Sequence, residues 1–291
     1  MSSKYAASIV IPTYNRVSLV KRAIETAIAQ TVTCEVVVCD HGSSDKTPEL
    51  VATYKDKVHY VRRDRDSGPF FSWLDGIQHA TADYVHLTHD DDWIELNFIE
   101  KCLNVFSSEC AFSLSSALIH SENEQPFAYH KGCFETGVHE ASKIETLLLG
   151  LNLTISPGCA IFRKTEAVKA IMTASGPLAT HEYHGVGADL MLFLVPLLYH
   201  SKFGYVNESL AHFLAHDGSI TTDAARDDRK LRQMTIAYEE AKKHYLVLKE
   251  ARDKNLGNRL LGRWKLRSTI RNRVNLLKCR FSKRAPLATF I

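Results

Sequence analysis

Four short runs rich in β-branched and apolar residues, Ser8–Ile11, Glu35–Cys39, Val58–Val61 and Tyr84–Leu87, alternate with stretches whose apolar residues recur at helical spacing. Val17, Val20, Ile24, Ala27 and Ile28 form one such stripe, so a helix is predicted over Val17–Ile28. Further helices are predicted from Ser44 or Asp45 to about Tyr54, over Phe70–His79 and over Leu96–Phe106, the last leading to a strand at Ala111–Ala117. Continuous apolar strands separated by helices build βαβ units, which implies an α/β chain with a mostly parallel, Rossmann-like sheet flanked by helices. In such sheets ligands bind beyond the carboxyl ends of the strands. Three polar clusters fall at those ends: Pro12–Arg16, Asp40–Asp45 and Asp90–Asp92.

The second half is less regular. Residues 120–140 read as a loop or hairpin excursion, Ser156–Arg163 as a turn entering a strand, and Ala188–Leu198 as an apolar helix interrupted near Pro196. Leu210–Ala215 is strand-like, and from Ala224 the chain is helical and charged. We expect one domain over residues 1–222 and a helical, basic C-terminal extension over 223–291.

Composition excludes several classes. Hydrophobic residues make up 45% and charged residues 24% of the 291, which is globular rather than disordered or low-complexity. The longest apolar run, around Leu190–Tyr199, is too short to cross a bilayer. The N-terminus has no long apolar leader, and seven Cys without a CxxC pair read as reduced thiols, so a cytoplasmic location is expected. Net charge is only +3, yet Lys249–Arg284 holds 13 Lys/Arg against Glu250 and Asp253. Leu260, Trp264, Ile270, Val274, Leu277 and Phe281 fall near one helical face of that segment, the pattern of a helix lying on an anionic membrane surface at the inner face of the cell membrane. Packing on its own domain is the plainer alternative. Nucleic acid is not expected, because no binding motif accompanies the basic patch.

Asp90, Asp91 and Asp92 are the sharpest chemical signal. Adjacent carboxylates repel unless a cation neutralises them, and hard oxygen ligands suit Mg²⁺ or Mn²⁺, which share substrate phosphates. Helix capping accounts for one Asp but not three. Asp40, followed by a glycine turn, offers an acceptor to a base N–H or ribose hydroxyls, though turn chemistry alone also explains it.

Taken together, SIVIPTYNR (8–16), VVVCDHGSSDKT (36–47), SGPFFSWLDGIQHATADYVHLTHDDDW (67–93), SPGCAIFRK (156–164), GADL (187–190) and HDGSIT (216–221) resemble the family-2 glycosyltransferases of GT-A fold, bacterial polysaccharide type. The resemblance implies an inverting, metal-dependent hexosyltransferase that uses a nucleotide-sugar donor, with UDP the commonest nucleotide, and Mn²⁺ or Mg²⁺ as cofactor. The acceptor would be a saccharide or lipid-linked saccharide in cell-surface polysaccharide synthesis. By the same resemblance Pro12, Thr13, Tyr14 and Arg16 would line the nucleotide pocket, Asp40 would bind the base, and Asp90 the ribose or metal. Asp91 or Asp92 would hold the metal on the diphosphate. Asp189 stands where the family places its catalytic base, but Ala188 precedes it in place of the usual Glu, which makes Glu182 the alternative carboxylate. His216 would close over the diphosphate or complete the metal shell. The sequence leaves two other readings open: a sugar-1-phosphate nucleotidyltransferase, disfavoured by PTYNR where a Gly-rich phosphate loop belongs, and a silent carbohydrate-binding module.

Overall fold

The computed structural model describes residues 3–66, 68–121, 124–150, 155–174 and 185–254. In chain order they form β1 (Ser8–Thr13), α1 (Val17–Ile28), β2 (Glu35–Asp40), α2 (Thr47–Ala52), β3 (His59–Arg62), α3 (Pro69–His79), β4 (Tyr84–Leu87) and β5 (Trp93–Ile94). There follow α4 (Phe98–Asn104), β6 (Cys110–Ser121), β7 (Glu124–Tyr129), β8 (Gly137–Glu140), α5 (Ala141–Leu149), β9 (Ala160–Arg163) and α6 (Lys164–Ala174). The last elements are α7 (Ala188–Leu194), β10 (Lys202–Ala215), α8 (Ile220–Ala225) and α9 (Asp228–Asp253).

One sheet runs in the order β3-β2-β1-β4-β9-β6-β10-β5, with β7 paired to β6 and β8 to β10. The first four strands in this order are parallel. Beyond β4 the sheet is mixed: β9 lies antiparallel to both β4 and β6, β10 is parallel to β6, and β5 and β8 run antiparallel to β10. A mostly parallel sheet therefore describes the β3-to-β4 half only. Apolar runs specify that strands form and are buried, but not which way a neighbour runs.

The run Ser8–Ile11 extends in the structure to Thr13, so Pro12 sits inside β1, opposite Cys39. The ladder explains why. The Val10 carbonyl accepts from Thr88 on the β4 side, so residue 12 also points its main-chain groups to that side, and β4 stops pairing at Val10–Leu87. The N–H that Pro lacks would have had no strand partner.

Helices pack on this frame through the predicted stripes. Val20, Ala23, Ile24 and Ala27 of α1 are buried, as are Phe70, Trp73 and Ile77 of α3. A Cβ on Gly76 would come within 2.1 Å of Val10 Cγ1, so the glycine is what lets α3 approach β1 this closely. In the mixed half Phe193 of α7 makes edge contacts with Phe112 and Phe162, both at 5.1 Å between ring centroids, and all three are fully buried. Every residue of α7 is buried except Asp189, which is partly exposed at its first turn.

Among the described residues one compact unit runs through Tyr245, and the remainder of α9 begins a second. Ala237, Ala241 and Tyr245 of α9 are buried. The proposed membrane-surface stripe, Leu260–Phe281, lies outside the described residues, and so does Glu182. Among the described residues no helix is long and apolar enough to cross a membrane.

Candidate functional site

The chain leaves β1 and β2 through two loops that fasten to each other. Asn15 takes a left-handed backbone (φ 54°), and its side-chain carbonyl accepts the N–H groups of Ser44 (2.7 Å) and Asp45 (3.3 Å). Asp45 in turn accepts the Val17 N–H (3.0 Å), one of the free donors at the start of α1. This interlock fixes Arg16 at the mouth of the sheet. Asp40 ends β2 buried, with one carboxylate oxygen accepting the Ser43 N–H (2.8 Å) and the other the Tyr60 hydroxyl.

Arg16 reaches across to the triplet after β4. Its Nη1 donates to Asp91 Oδ2 at 2.8 Å and lies 3.8 Å from Asp90 Oδ1, while Nη2 donates to the Gly218 carbonyl at 3.2 Å. His216, in the loop after β10, brings Nε2 to 3.1 Å from the same Asp91 oxygen. The three carboxylates have separate environments. Burial pushes Asp90 up to about 7, against the pull of Arg16. Burial acts on Asp91 too, but neighbouring His89, the hydrogen bond from His216 and the Arg16 charge together hold it below the usual carboxylate range. Asp92 is pushed well up by burial and by the charge of Asp91, and its Oδ1 accepts the Leu214 N–H at 3.0 Å. Asp92 therefore ties the triplet to β10.

A second tie lies beside it. β5 follows the triplet directly and pairs antiparallel with Ala211 and His212 of β10. Trp93 stacks on His212, and the Arg22 guanidinium lies over the Trp93 ring, 3.4 Å from its centroid. His212 is also within hydrogen-bond distance of His120 (3.0 Å) and Glu95 (2.9 Å). Arg22 donates to the Asp91 carbonyl at 3.1 Å.

Asp189 forms a separate polar point at the start of α7. Its Oδ1 accepts the N–H groups of Gly187 and Leu190, each at 2.7 Å, and its Oδ2 accepts the Tyr238 hydroxyl at 2.8 Å. Burial pushes the carboxyl up to about 6, against these three donors. That value suits a group that must take a proton near neutral pH.

The structure thus gathers Arg16, Asp90, Asp91 and His216, and places Thr13 buried and Tyr14 exposed at the end of β1. Pro12 is half-buried in the same strand. Sequence reasoning missed Arg22, Trp93 as a stacking partner, the His120–His212–Glu95 chain, and Tyr238. Trp93 carried a signal, because it directly follows the triplet. Tyr238 carried none, since it lies 49 residues beyond Asp189 on a charged helix.

The donor set at Asp91 fits a divalent cation in part. Asp91 Oδ2 and His216 Nε2 converge as one hard oxygen and one imidazole, which suits Mn²⁺ or Mg²⁺ taking its other ligands from phosphate and water. Among the described residues no cluster of three or more His, Cys, Asp or Glu stands ready to hold a metal without substrate. Asp92 Oδ1 is engaged by the β10 main chain.

The chain matches the family model described as glycosyl transferase family 2 over residues 8–171, more than half its length. It is similar to an uncharacterized glycosyltransferase of Rickettsia typhi, 34% identical over 102 residues, which cover 34% of this chain and 31% of that one. It also resembles the succinoglycan biosynthesis protein ExoO of Rhizobium meliloti, 40% identical over 87 residues, which cover 29% of this chain and 25% of the relative. The match thus spans less than a third of either relative. Among solved structures, residues 1–349 of S. aureus TarS in complex with UDP-GlcNAc superpose with a TM-score of 0.59 at 15% identity, covering 81% of this chain and 66% of that one. This likeness establishes a shared GT-A fold.

Proposed function

The chain belongs to glycosyl transferase family 2, and from that membership we propose that it transfers a hexose from a UDP-sugar to a glycan or lipid-linked saccharide, with inversion at the anomeric carbon. The observation that carries the reading is the meeting of Arg16 and His216 on one oxygen of Asp91, at the carboxyl ends of β1 and β4. Two cationic or hydrogen-bonding groups facing a carboxylate at that rim make an anion-binding cradle once a divalent cation or a diphosphate displaces the internal pairing. The resemblance to a fold solved with UDP-GlcNAc supports UDP as the nucleotide.

In this reading Asp40 accepts a base N–H in place of the Tyr60 hydroxyl, and Arg16 donates to the diphosphate. Asp91 and His216 would hold Mn²⁺ or Mg²⁺, which when bound supplies positive charge to the leaving diphosphate. Asp189 Oδ2 takes the proton of the acceptor hydroxyl. The acceptor oxygen forms its bond to the anomeric carbon as the bond from that carbon to the diphosphate oxygen breaks, and UDP departs with the bonding pair. Asp189 then releases its proton to solvent. The basic segment Lys249–Arg284 would bring the enzyme to an anionic membrane surface where a lipid-linked acceptor resides.

The test is titration calorimetry of UDP and a panel of UDP-sugars with Mn²⁺ and with chelator, followed by donor hydrolysis. Binding that needs the cation and slow hydrolysis support the reading. Binding of free glycans without any donor binding would make the chain a carbohydrate-binding module instead.

A further inference from the structure

α9 lies beyond the residues matched by the family model, yet it touches the turn that carries the candidate base at two points. The first contact is between main chains. Gly187, at φ +92°, turns the backbone into α7, and a Cβ there would sit 2.9 Å from the Ala237 carbonyl oxygen and 3.5 Å from Ala241 Cβ. Ala237 and Ala241 stand one helical turn apart on the buried face of α9, so two small residues let the helix close on the turn that presents Asp189. The second contact is the Tyr238 hydroxyl, which donates to Asp189 Oδ2 at 2.8 Å. Oδ1 is already held by the N–H groups of Gly187 and Leu190, so Tyr238 completes a three-donor clasp on a carboxylate whose neighbours in α7 are all apolar.

We propose that Tyr238 is a positioning residue for the reaction: its hydroxyl orients Asp189 Oδ2 toward the acceptor hydroxyl and favours the ionised carboxylate, so that the C-terminal helix forms part of the active site. This inference rests on the assignment of Asp189 as the base.

The physical argument is one of competing effects. Burial favours the protonated acid, and donors favour the anion. Tyr238 lowers the Asp189 carboxyl, and Asp189 in return pushes the Tyr238 phenol far up, burial being the larger cause, so the phenol stays a donor throughout the working range. Tyr129 of β7 is the other titratable group facing the phenol among the described residues. Removing the hydroxyl leaves the two backbone donors to act alone against burial. It also leaves Oδ2 free to rotate away from one lone-pair direction.

The experiment compares wild type, Tyr238→Phe and Asp189→Asn in two readouts. One is the pH profile of kcat/KM. The other is the Asp189 carboxyl titration by ¹³C NMR, assigned by its absence in Asp189→Asn. The Phe ring retains the packing of α9, and unchanged donor KM and circular dichroism check the fold. Expected in Tyr238→Phe is an upward move of both the carboxyl titration and the acid limb by about one pH unit, a tenfold change in the proton equilibrium, with kcat reduced on the plateau. If neither moves, the proposal is overturned while the base assignment stands on the Asp189→Asn result. If the carboxyl titration moves and the acid limb does not, Asp189 is not the base, and the proposal falls with that assignment.

Discussion

The indole of Trp93 lies face to face with the imidazole of His212, with ring centroids 4.9 Å apart and planes 1° from parallel. The pair joins β5 to β10, and therefore the triplet before Trp93 to the His216 loop after β10. With Arg22 on Trp93, and with His120 and Glu95 on His212, it sets the distance between Asp91 and His216 from outside the cradle. Trp93→Leu should lower stability by about 1–3 kcal/mol through lost ring stacking and cation–π contact. It should also weaken UDP binding in the variant that remains folded. Chemical denaturation and calorimetry read the two effects, and a variant with unchanged UDP affinity would separate the stack from the site.

Asp91→Asn removes the charge on which Arg16 and His216 meet. Donor affinity in Mn²⁺ should fall at least about tenfold, or 1.4 kcal/mol, with the sheet intact by circular dichroism. The same titration in chelator supplies the control: wild type should drop to the level of the variant. Equal affinities with and without the cation in wild type would remove metal from the reading.

Asp90 behaves differently because its carboxyl is raised. A group whose folded-state value is about 7 binds its proton more tightly in the native protein than in the unfolded chain. Its contribution is therefore present at low pH and is lost as pH rises toward 7 and beyond. Without ligand, Asp90→Asn should raise the melting temperature more at pH 8 than at pH 5, by about 2–4 °C for each kcal/mol in a protein of this size class. A larger gain at pH 5 would contradict the burial-driven sign.

Asp189→Asn should leave donor KM in place and lower kcat by about 10²–10⁴-fold, the usual range for a lost general base. In wild type the rate should fall as pH drops through about 6, because protonation of Asp189 removes the acceptor of the hydroxyl proton. That limb should vanish from the residual activity of Asp189→Asn. Steady-state profiles over pH 5–9 with saturating donor test both points.

The tail makes a prediction of its own. Full-length protein should sediment with anionic vesicles at low salt and leave them as salt rises, since the attraction is screened within about 8 Å at physiological ionic strength. Protein lacking residues 256–291 should remain in solution at both salt levels and still hydrolyse donor. Equal behaviour of the two proteins would exclude the tail as an anchor.

The sequence by itself determined the parallel half of the fold and the location of the rim. Local patterns sufficed there: α1 spans Val17–Ile28 and β4 spans Tyr84–Leu87 as the periodicity predicts, because each element buries a stripe written in consecutive residues. The sequence also placed Arg16, Asp40 and Asp90–Asp92 at strand ends, which puts them on one edge of any parallel sheet. Tertiary structure alone decided the rest. Whether β9 runs antiparallel between β4 and β6 depends on pairing partners far apart in the chain. The meeting of His216 with Asp91 crosses 125 residues, and that of Tyr238 with Asp189 depends on where a mostly polar helix docks. Such contacts leave no local period, because their energy comes from burial and charge shared between segments that are neighbours only once the chain has folded.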